Sequence, residues 1–446
     1  MNPSSPHGLP RFPLRWLGAL FALLLPLAAT AQQQGLEIDI VGGNASAVPI
    51  AVIPMQGPTT LQTDVAKVVA SDLNRSGSFR SLPDKDIVER PTRGNEINFP
   101  TWSALNQDYI LVGRVLEAGE GTYRVEYELF DVARKERLLG FALTGPSSAM
   151  RDIAHQIADA VYEKVTGIRG AFFTRIAYVT ATGSGKAMRY ALMVADSDGY
   201  NPQTVVRSSE PLLSPAWSPD GNRLAYVSYE GEGHNSTIYI QTITSGAREL
   251  IAKFRGINGA PSFSPDGRKL ALTLSKTGNP EIYVMDLGSR ALTQITNHFA
   301  IDTSAVWSAD GSTLYFTSDR GGKPQIYQVP SSGGGATRVT FQGSYNADPT
   351  ISSDGKKLAT TQQNGGGYRI AMMDRSIGGS WSNLSPGSLD ESPSFAPNGM
   401  MLLYAAREGR RDVLYAVSSD ARVRQRLVLA DGDVREPAWG PYRTHR

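Results

Sequence analysis

Four groups of residues in this 446-residue chain have types and spacings from which chemistry could be built. Gly183-Ser184-Gly185-Lys186 has the heart of a phosphate loop, where glycine amides cradle phosphate oxygens beside a lysine. Position 180, however, is Thr where that loop has its leading Gly, and Ala187 stands where a hydroxyl would hold magnesium, so a hairpin turn is expected instead. Ser353 and Lys356 have the S-x-x-K spacing of certain acyl-transferring serines. His155, His234, His298 and His445 are scattered without metal-ligand spacing. His155, between Ile153 and Ile157 on a helical pattern, reads as a surface or packed residue. The fourth group, the many Asp residues, belongs to turns, where Asp has a structural role.

Other chemistries are missing their parts. There is no cysteine, which removes disulfides, thiol catalysis, thiolate metal sites and a lipidated N-terminal cysteine. A propeller-fused hydrolase would need a catalytic domain carrying G-x-S-x-G, and the N-terminal region has none. The sequence therefore predicts no catalytic residue, cofactor or metal. Formal charge is +2, and the leader described below carries Arg11 and Arg15 and no acid, so the mature chain is balanced. Neutrality argues against nucleic acid or an anionic membrane surface as the main partner.

The Ser353 motif falls on an element that recurs. Ala216-Trp217-Ser218-Pro219-Asp220-Gly221 returns as Ser262–Gly267, Val306–Gly311, Thr350–Gly355 and Ser394–Gly399, the glycines 46, 44, 44 and 44 residues apart. In each copy a strand ends, Pro or a small residue enters a turn, and Asp-Gly or Asn-Gly completes it where positive φ is needed. A strand follows at once (Arg223–Ser228, Lys269–Leu274), apolar enough for burial on both faces. A third strand comes about a dozen residues later (Ile238–Ile240, Ile282–Val284, Ile326–Gln328, Ile370–Met372, Leu414–Ala416) and a short fourth after it (Leu292–Ile295, Arg338–Thr340). Four short strands in about 44 residues is a propeller blade. The region from Arg175 to Trp439 holds six periods, and the closing Pro437-Ala438-Trp439 copies the start of the repeat, so it should supply the strand that the first blade lacks.

Upstream, residues 42–168 do not repeat and read as an α/β domain. Strands are expected at Ile50–Pro54, Ile110–Val115, Tyr123–Val132 and Leu138–Leu143. Leu61, Val65, Val68, Val69 and Leu73 give one helical stripe ending before Gly77; Ile153, Ile157, Val161 and Val165 give another, capped by Ser147 or Ser148 and stopped at Gly167. The predicted fold is thus an N-terminal α/β domain followed by a six-bladed β-propeller over residues 169–446. Residues 1–31 read as a secretory signal peptide: a basic start, Trp16–Leu27 as apolar stretch, and Ala29-Thr30-Ala31 for cleavage. That stretch falls short of the ~20 residues a spanning helix needs. The mature protein is expected to be unanchored and periplasmic. Between leader and domain, Leu36-Glu37-Ile38-Asp39-Ile40 alternates as an edge strand does. It suits either the first strand of the α/β domain or a mobile strand, over 32–41, donated to another protein's sheet.

The mature chain resembles the TolB family of the Tol-Pal envelope system. The resemblance rests on the repeated Trp-Ser-Pro-Asp-Gly turns, the join Thr166–Phe172 before Arg175–Val179, Asn258-Gly259-Ala260-Pro261, Leu274–Gly278 and Pro437-Ala438-Trp439. It implies a non-enzymatic scaffold with two partners. The propeller would bind the peptidoglycan-associated lipoprotein Pal, at Ile257, Ala260 and Thr303, members often carrying His where Ile257 stands. Gln32, Gln33, Leu36, Glu37, Ile38, Asp39, Ile40 and Val41 would bind the C-terminal domain of TolA. Colicins and phage proteins are further ligands in the family. The implied role is outer-membrane constriction during cell division and outer-membrane integrity. The competing reading is a periplasmic propeller enzyme or ligand-binding protein using the central tunnel.

Overall fold

The computed structural model describes residues 37–41 and 46–444, apart from 232, 234, 364 and 429–431. The expected leader, Gln32, Gln33, Leu36, His234 and His445 lie outside the described residues.

The α/β domain begins with strand β2 (Val48–Val52), after a separate strand β1 (Glu37–Val41). It continues through helix α1 (Val65–Arg75), β3 (Phe79–Ser81), α2 (Phe99–Ala104), β4 (Tyr109–Glu117), β5 (Thr122–Asp131), β6 (Glu136–Pro146) and α3 (Met150–Thr166). Its sheet runs β3-β2-β4-β5-β6, with β2 parallel to both β3 and β4 and the rest antiparallel. The two expected helical stripes lie on one face, where Val65, Val69 and Leu73 meet Ile153, Ile157 and Val161 over Ile50, Leu111 and Leu129. Trp102 of α2 fills the other face against Ile53, Ile110 and Phe130.

Both helix starts differ from expectation. Leu61 precedes α1, whose first turn is fixed by Asp64 accepting from Lys67 N at 3.0 Å. A polar cap outranks an apolar period in setting a boundary. Ser147 and Ser148 form a 3-10 turn ahead of α3, and no side chain caps that helix. Its C-terminus behaves as read, with Gly167 at φ 72° donating to Glu163 O at 2.8 Å.

Each repeat turn is built from its own side chains. In Ser264-Pro265-Asp266-Gly267, Asp266 Oδ1 accepts from Ser264 Oγ at 2.6 Å and from Arg268 N at 3.1 Å. Ser264 Oγ in turn accepts from Lys269 N at 2.9 Å, and Gly267 takes φ 69°. The same bonds recur around Asp310 and Asp354, so Ser353 and Lys356 are turn residues. Gly183–Lys186 lies in the hairpin between Arg175–Thr182 and Arg189–Asp196, as expected.

Six antiparallel sheets form the propeller. Their first strands, in blade order, are Asp433–Trp439, Leu212–Trp217, Asn258–Phe263, Asp302–Trp307, Tyr345–Ile351 and Asp390–Phe395. The C-terminal strand pairs with Arg175–Thr182 and completes blade one, closing the ring. Second strands are buried on both faces, Leu270 to Leu274 being at most 3% exposed. Apolar clusters run from blade to blade, Val227 and Ile238 of blade two packing with Phe263 and Leu272 of blade three. Indoles add directed ties: Trp217 Nε1 donates to Ala438 O and Trp307 Nε1 to Ser262 O, both at 3.0 Å.

Strand β1 joins the propeller instead of the α/β sheet. It extends blade six as a fifth strand, antiparallel to Arg424–Val428, with Ile38 opposite Leu427 and Ile40 opposite Gln425. Of the two readings of its alternation, membership of the α/β domain is therefore corrected.

Candidate functional site

The face of the propeller on which first strands begin is organised by one repeat position. Asn258, Asp302 and Asp390 open the first strands of blades three, four and six, and Asn346 is second in that of blade five; they are 44 residues apart, and all are at most 2% exposed. Three of them, Asn258, Asn346 and Asp390, pin the loop that leads into them. Asn258 accepts from Phe254 N at 2.8 Å and donates to Phe254 O at 2.8 Å, Ser236 O at 3.0 Å and Gly256 O at 3.2 Å. Asn346 donates to Gln342 O at 2.8 Å, Asp302 pairs with Arg320 at 2.6 Å, and Asp390 accepts from Gly387 N at 2.9 Å. A buried amide or carboxylate with its partners in place makes such a loop rigid. In blade four Asp302 Oδ1 has no hydrogen-bond partner among the described residues, and the loop before it is held by Asn279, whose Nδ2 donates to His298 O at 2.9 Å and to Ala300 O.

The residue just before each of the four faces outward. Ile257, Ile301 and Leu389 are each about half exposed, Tyr345 less so, and Phe299 and Phe341 from the same loops are 88% and 76% exposed. An arc of large apolar side chains thus stands on rigid loops around the tunnel mouth, as protein-binding patches do. Ile257 belongs to this arc. Ala260 lies one turn of chain inward, at φ 44° in the bulge of its first strand. Thr303, paired with Thr317, stands just before the bulge of the next blade, its Oγ1 3.3 Å from Thr273 Oγ1. The structure therefore places Ile257, Ala260 and Thr303 on neighbouring blades along one rim.

Every first strand carries such a bulge, at Ser214, Ala260, Ser304, Asp348, Ser392 and Glu436, all with positive φ. These residues surround a cavity of about 430 Å³ on the propeller axis. Among the described residues lining it, Asp348 and Glu436 are the ionisable ones, and no serine there has a histidine or lysine beside it in the lining. Asp348 accepts from Ser304 Oγ at 3.0 Å, and Glu436 from Ser214 N at 2.8 Å. Burial pushes both carboxyls up, Glu436 to about 7, aided by the charges of Asp348 and Glu391.

The outer edge of blade six holds β1. Of the residues expected to meet TolA, Glu37 to Val41 are described and lie along the outer edge of blade six, held by main-chain pairing. Their destination was invisible in the sequence because the partner strand lies at the other end of the chain.

A second cluster, between α/β domain and propeller, escaped sequence reading. His155 on α3 is 1% exposed, and its Nδ1 lies 2.6 Å from Asp72 Oδ2 on α1. Asp72 also accepts from Arg75 Nε at 2.9 Å, and Arg75 crosses to blade one, donating to Ser197 Oγ at 2.8 Å. Asp198, in the next turn position, pairs with Arg151 and faces His155 Nε2 at 3.9 Å. Arg443 grips Asp152 through two bonds, of 2.7 and 2.9 Å. Burial alone would lower the His155 pKa, but the charge and hydrogen bond of Asp72, with Asp198, leave it raised. Asp72 is lowered by His155 and Arg75 against the pull of burial. Asp72, His155 and Asp198 come close enough to share an ion. Guanidinium groups already occupy both aspartates, so the cluster is an ion-pair network. The join is tight as well: a Cβ on Gly170 would stand 2.6 Å from Asp159 Cα, and Asp159 accepts from Phe172 N at 2.7 Å.

A ring-closed six-bladed propeller with a fused α/β domain and an apolar arc on one face defines the class of this molecule. Two family models match the chain, the TolB amino-terminal domain over residues 36–138 and the TolB beta propeller domain over residues 162–443. The Tol-Pal system protein TolB of Xanthomonas euvesicatoria pv. vesicatoria (strain 85-10) is 73% identical over 436 residues, covering 97% of this chain and 99% of that one. The corresponding protein of Xanthomonas campestris pv. campestris (strain B100) gives the same figures. The crystal structure of TolB from Acinetobacter baumannii is 44% identical with a TM-score of 0.85, covering 91% of this chain and all of that one. The chain belongs to the TolB family and is a component of the Tol-Pal system. No helix among the described residues is long and apolar enough to cross a membrane.

Proposed function

We propose that this protein is a non-enzymatic periplasmic scaffold that binds Pal through the rim of the propeller and TolA through its N-terminal segment. The observation that carries the first half is the arc of Ile257, Phe299, Ile301, Phe341 and Leu389 on loops pinned by Asn258, Asn279, Asn346 and Asp390. A rigid apolar arc binds with little ordering cost, and aromatic residues dominate interface energetics. Ile257, Ala260 and Thr303 are the proposed contacts with Pal. Where other family members place His, Ile257 replaces a polar contact by an apolar one.

The second half rests on β1. A strand held along a single edge has two states, docked and free, and a partner that prefers one of them shifts the balance. Residues 32–41 are proposed to reach TolA in the free state by strand addition. What the propeller holds would then bias the strand, relaying the state of Pal to TolA in support of constriction at division and outer-membrane integrity. Colicins and phage proteins remain further candidate ligands of these surfaces.

The test is a calorimetric titration of residues 32–446 with the soluble domain of Pal from the same organism. Saturable one-to-one binding, weakened about tenfold or more by Phe341→Asp and by Ala260→Leu, is expected for contacts worth ~1.4 kcal/mol or more. No binding at tens of micromolar, a free energy weaker than about −7 kcal/mol, would reject the reading. A second reading, ligand binding in the tunnel, is favoured by the raised carboxyls Asp348 and Glu436. It predicts that Glu436→Gln alters binding of a small molecule while leaving Pal binding untouched.

A further inference from the structure

We infer that His155 is a proton-held latch between the α/β domain and the propeller: as an imidazolium it bridges Asp72 on α1 and Asp198 on blade one, and losing its proton loosens the two bodies.

The argument begins with hydrogen-bonding capacity. Nδ1 is committed to Asp72 at 2.6 Å. Nε2 is buried, has no hydrogen-bond partner among the described residues, and faces a carboxylate oxygen of Asp198 at 3.9 Å. A neutral ring donating through Nδ1 would aim the lone pair of Nε2 at that carboxylate. An imidazolium presents N–H to both acids, and so matches the cavity on both sides.

Charges from every neighbouring element support this. On α1 stand Asp72 and Arg75; on α3, Arg151, Asp152 and Asp159; on blade one, Asp196 and Asp198; in the C-terminal segment, Arg443. With His155 neutral, five carboxyls face three guanidiniums. Burial pushes Asp159 and Asp196 up to about 6, so both are charged near neutral pH and add to the demand for a cation. The raised His155 pKa fixes the sign. Its contribution to docking is complete below the unfolded value of about 6.5 and is lost as pH rises through the higher folded value.

The latch also touches the strand platform. Arg75, whose side chain bonds both Asp72 and Ser197, accepts through its carbonyl from Gln425 Nε2. Gln425 lies opposite Ile40 in the pairing of β1. Movement of the end of α1 therefore reaches the strand on which the N-terminal segment docks. This last step rests on the two-state strand proposed above, whereas the latch itself does not.

Hydrogen exchange of the whole chain at pH 6 and pH 8, corrected for intrinsic rates, reads the latch at residues 196–200 and the platform at 424–428. Protection at 196–200 is expected to fall about threefold or more from pH 6 to pH 8. In His155→Gln protection should be lower at pH 6 and its fall with pH smaller, the remainder coming from the raised carboxyls of Asp159 and Asp196. Asp198→Asn, which leaves the Asp72 pair inside the α/β domain, should shrink the fall, and it decides the matter if His155→Gln does not fold. A flat wild type, or a fall that persists undiminished in either variant, overturns the latch. A fall at 196–200 with unchanged 424–428 and 37–41 keeps the latch and rejects its link to the strand.

Discussion

Replacing Asn258 by Ala removes one accepted and three donated hydrogen bonds from a side chain with no exposed surface. The bond to Gly256 O, at 3.2 Å, is the weakest of them. Counting the other three at ~1 kcal/mol each gives a loss of about 3 kcal/mol, before any cost for Phe254 and Ser236 groups left without partners. For a domain of this size that corresponds to a fall of roughly 6–12 °C in Tm. Scanning calorimetry and urea denaturation would measure it, and exchange at residues 253–257 should rise ahead of the rest of the propeller. Asn258→Asp sharpens the test. It keeps the acceptor for Phe254 N but turns a carboxylate toward three carbonyl oxygens. Desolvation and those oxygens raise the introduced carboxyl's pKa, so its stability is greatest at low pH and is lost as pH rises. At pH 8 it should be less stable than the Ala variant, and the gap should close toward pH 4. A loss below ~0.5 kcal/mol for Asn258→Ala, the range of ordinary surface changes, would refute the pinning argument. So would an Asp variant that tracks the Ala variant at every pH.

Asn398 replaces the Asp of the other repeat turns and donates to Arg169 O at 3.0 Å, a bond to the interdomain join that a carboxylate cannot make; Asn398→Asp should cost about 1 kcal/mol in urea denaturation. Trp439 is buried and donates to Thr174 Oγ1 at 2.9 Å, so Trp439→Phe should cost about 1 kcal/mol and Trp439→Ala about 3–5 kcal/mol in the same assay. Glu436 has its pKa raised to about 7, so wild-type stability should decline between about pH 4.5 and 7. Glu436→Gln should flatten that part of the pH–stability profile. Deleting Gln32–Val41 should abolish TolA binding with little change in Tm; a sharp fall in Tm would make β1 part of the core.

The propeller was legible because its information is local. Ser264, Asp266 and Gly267 complete their turn among themselves, and the same handful of bonds recurs at a fixed period. The ring closure was legible for the same reason, since Pro437-Ala438-Trp439 is a fragment of a known repeat. Strand β1 was half legible: alternation says that one face is covered, and nothing in it says by which sheet. His155 is packed, one of the two readings its pattern allowed, but its partners were not legible, since Asp72 and Asp198 are remote in sequence and meet it only through the packing of α1 and α3 on blade one. The buried Asn and Asp positions carried a signal that went unread. Asn258, Asp302, Asn346 and Asp390 share the 44-residue period of the turns, and an Asn or Asp at that constant spacing, at the start of each first strand or next to it, marks a buried polar position.

The strand Asp433–Trp439 has a further consequence, one of timing. Its partner Arg175–Thr182 lies some 250 residues earlier, and bringing such distant segments together costs on the order of 5 kcal/mol in chain entropy. Five sheets can form from contiguous sequence as the chain emerges, but the circle stays open until Asp433–Trp439 exists. A chain cut short by even that much would expose the edge of Arg175–Thr182, an invitation to pair with other chains. Once complete, the same geometry works in reverse. Unravelling must begin by parting the two ends of the circle, so the finished protein should persist longer than its equilibrium stability alone would give.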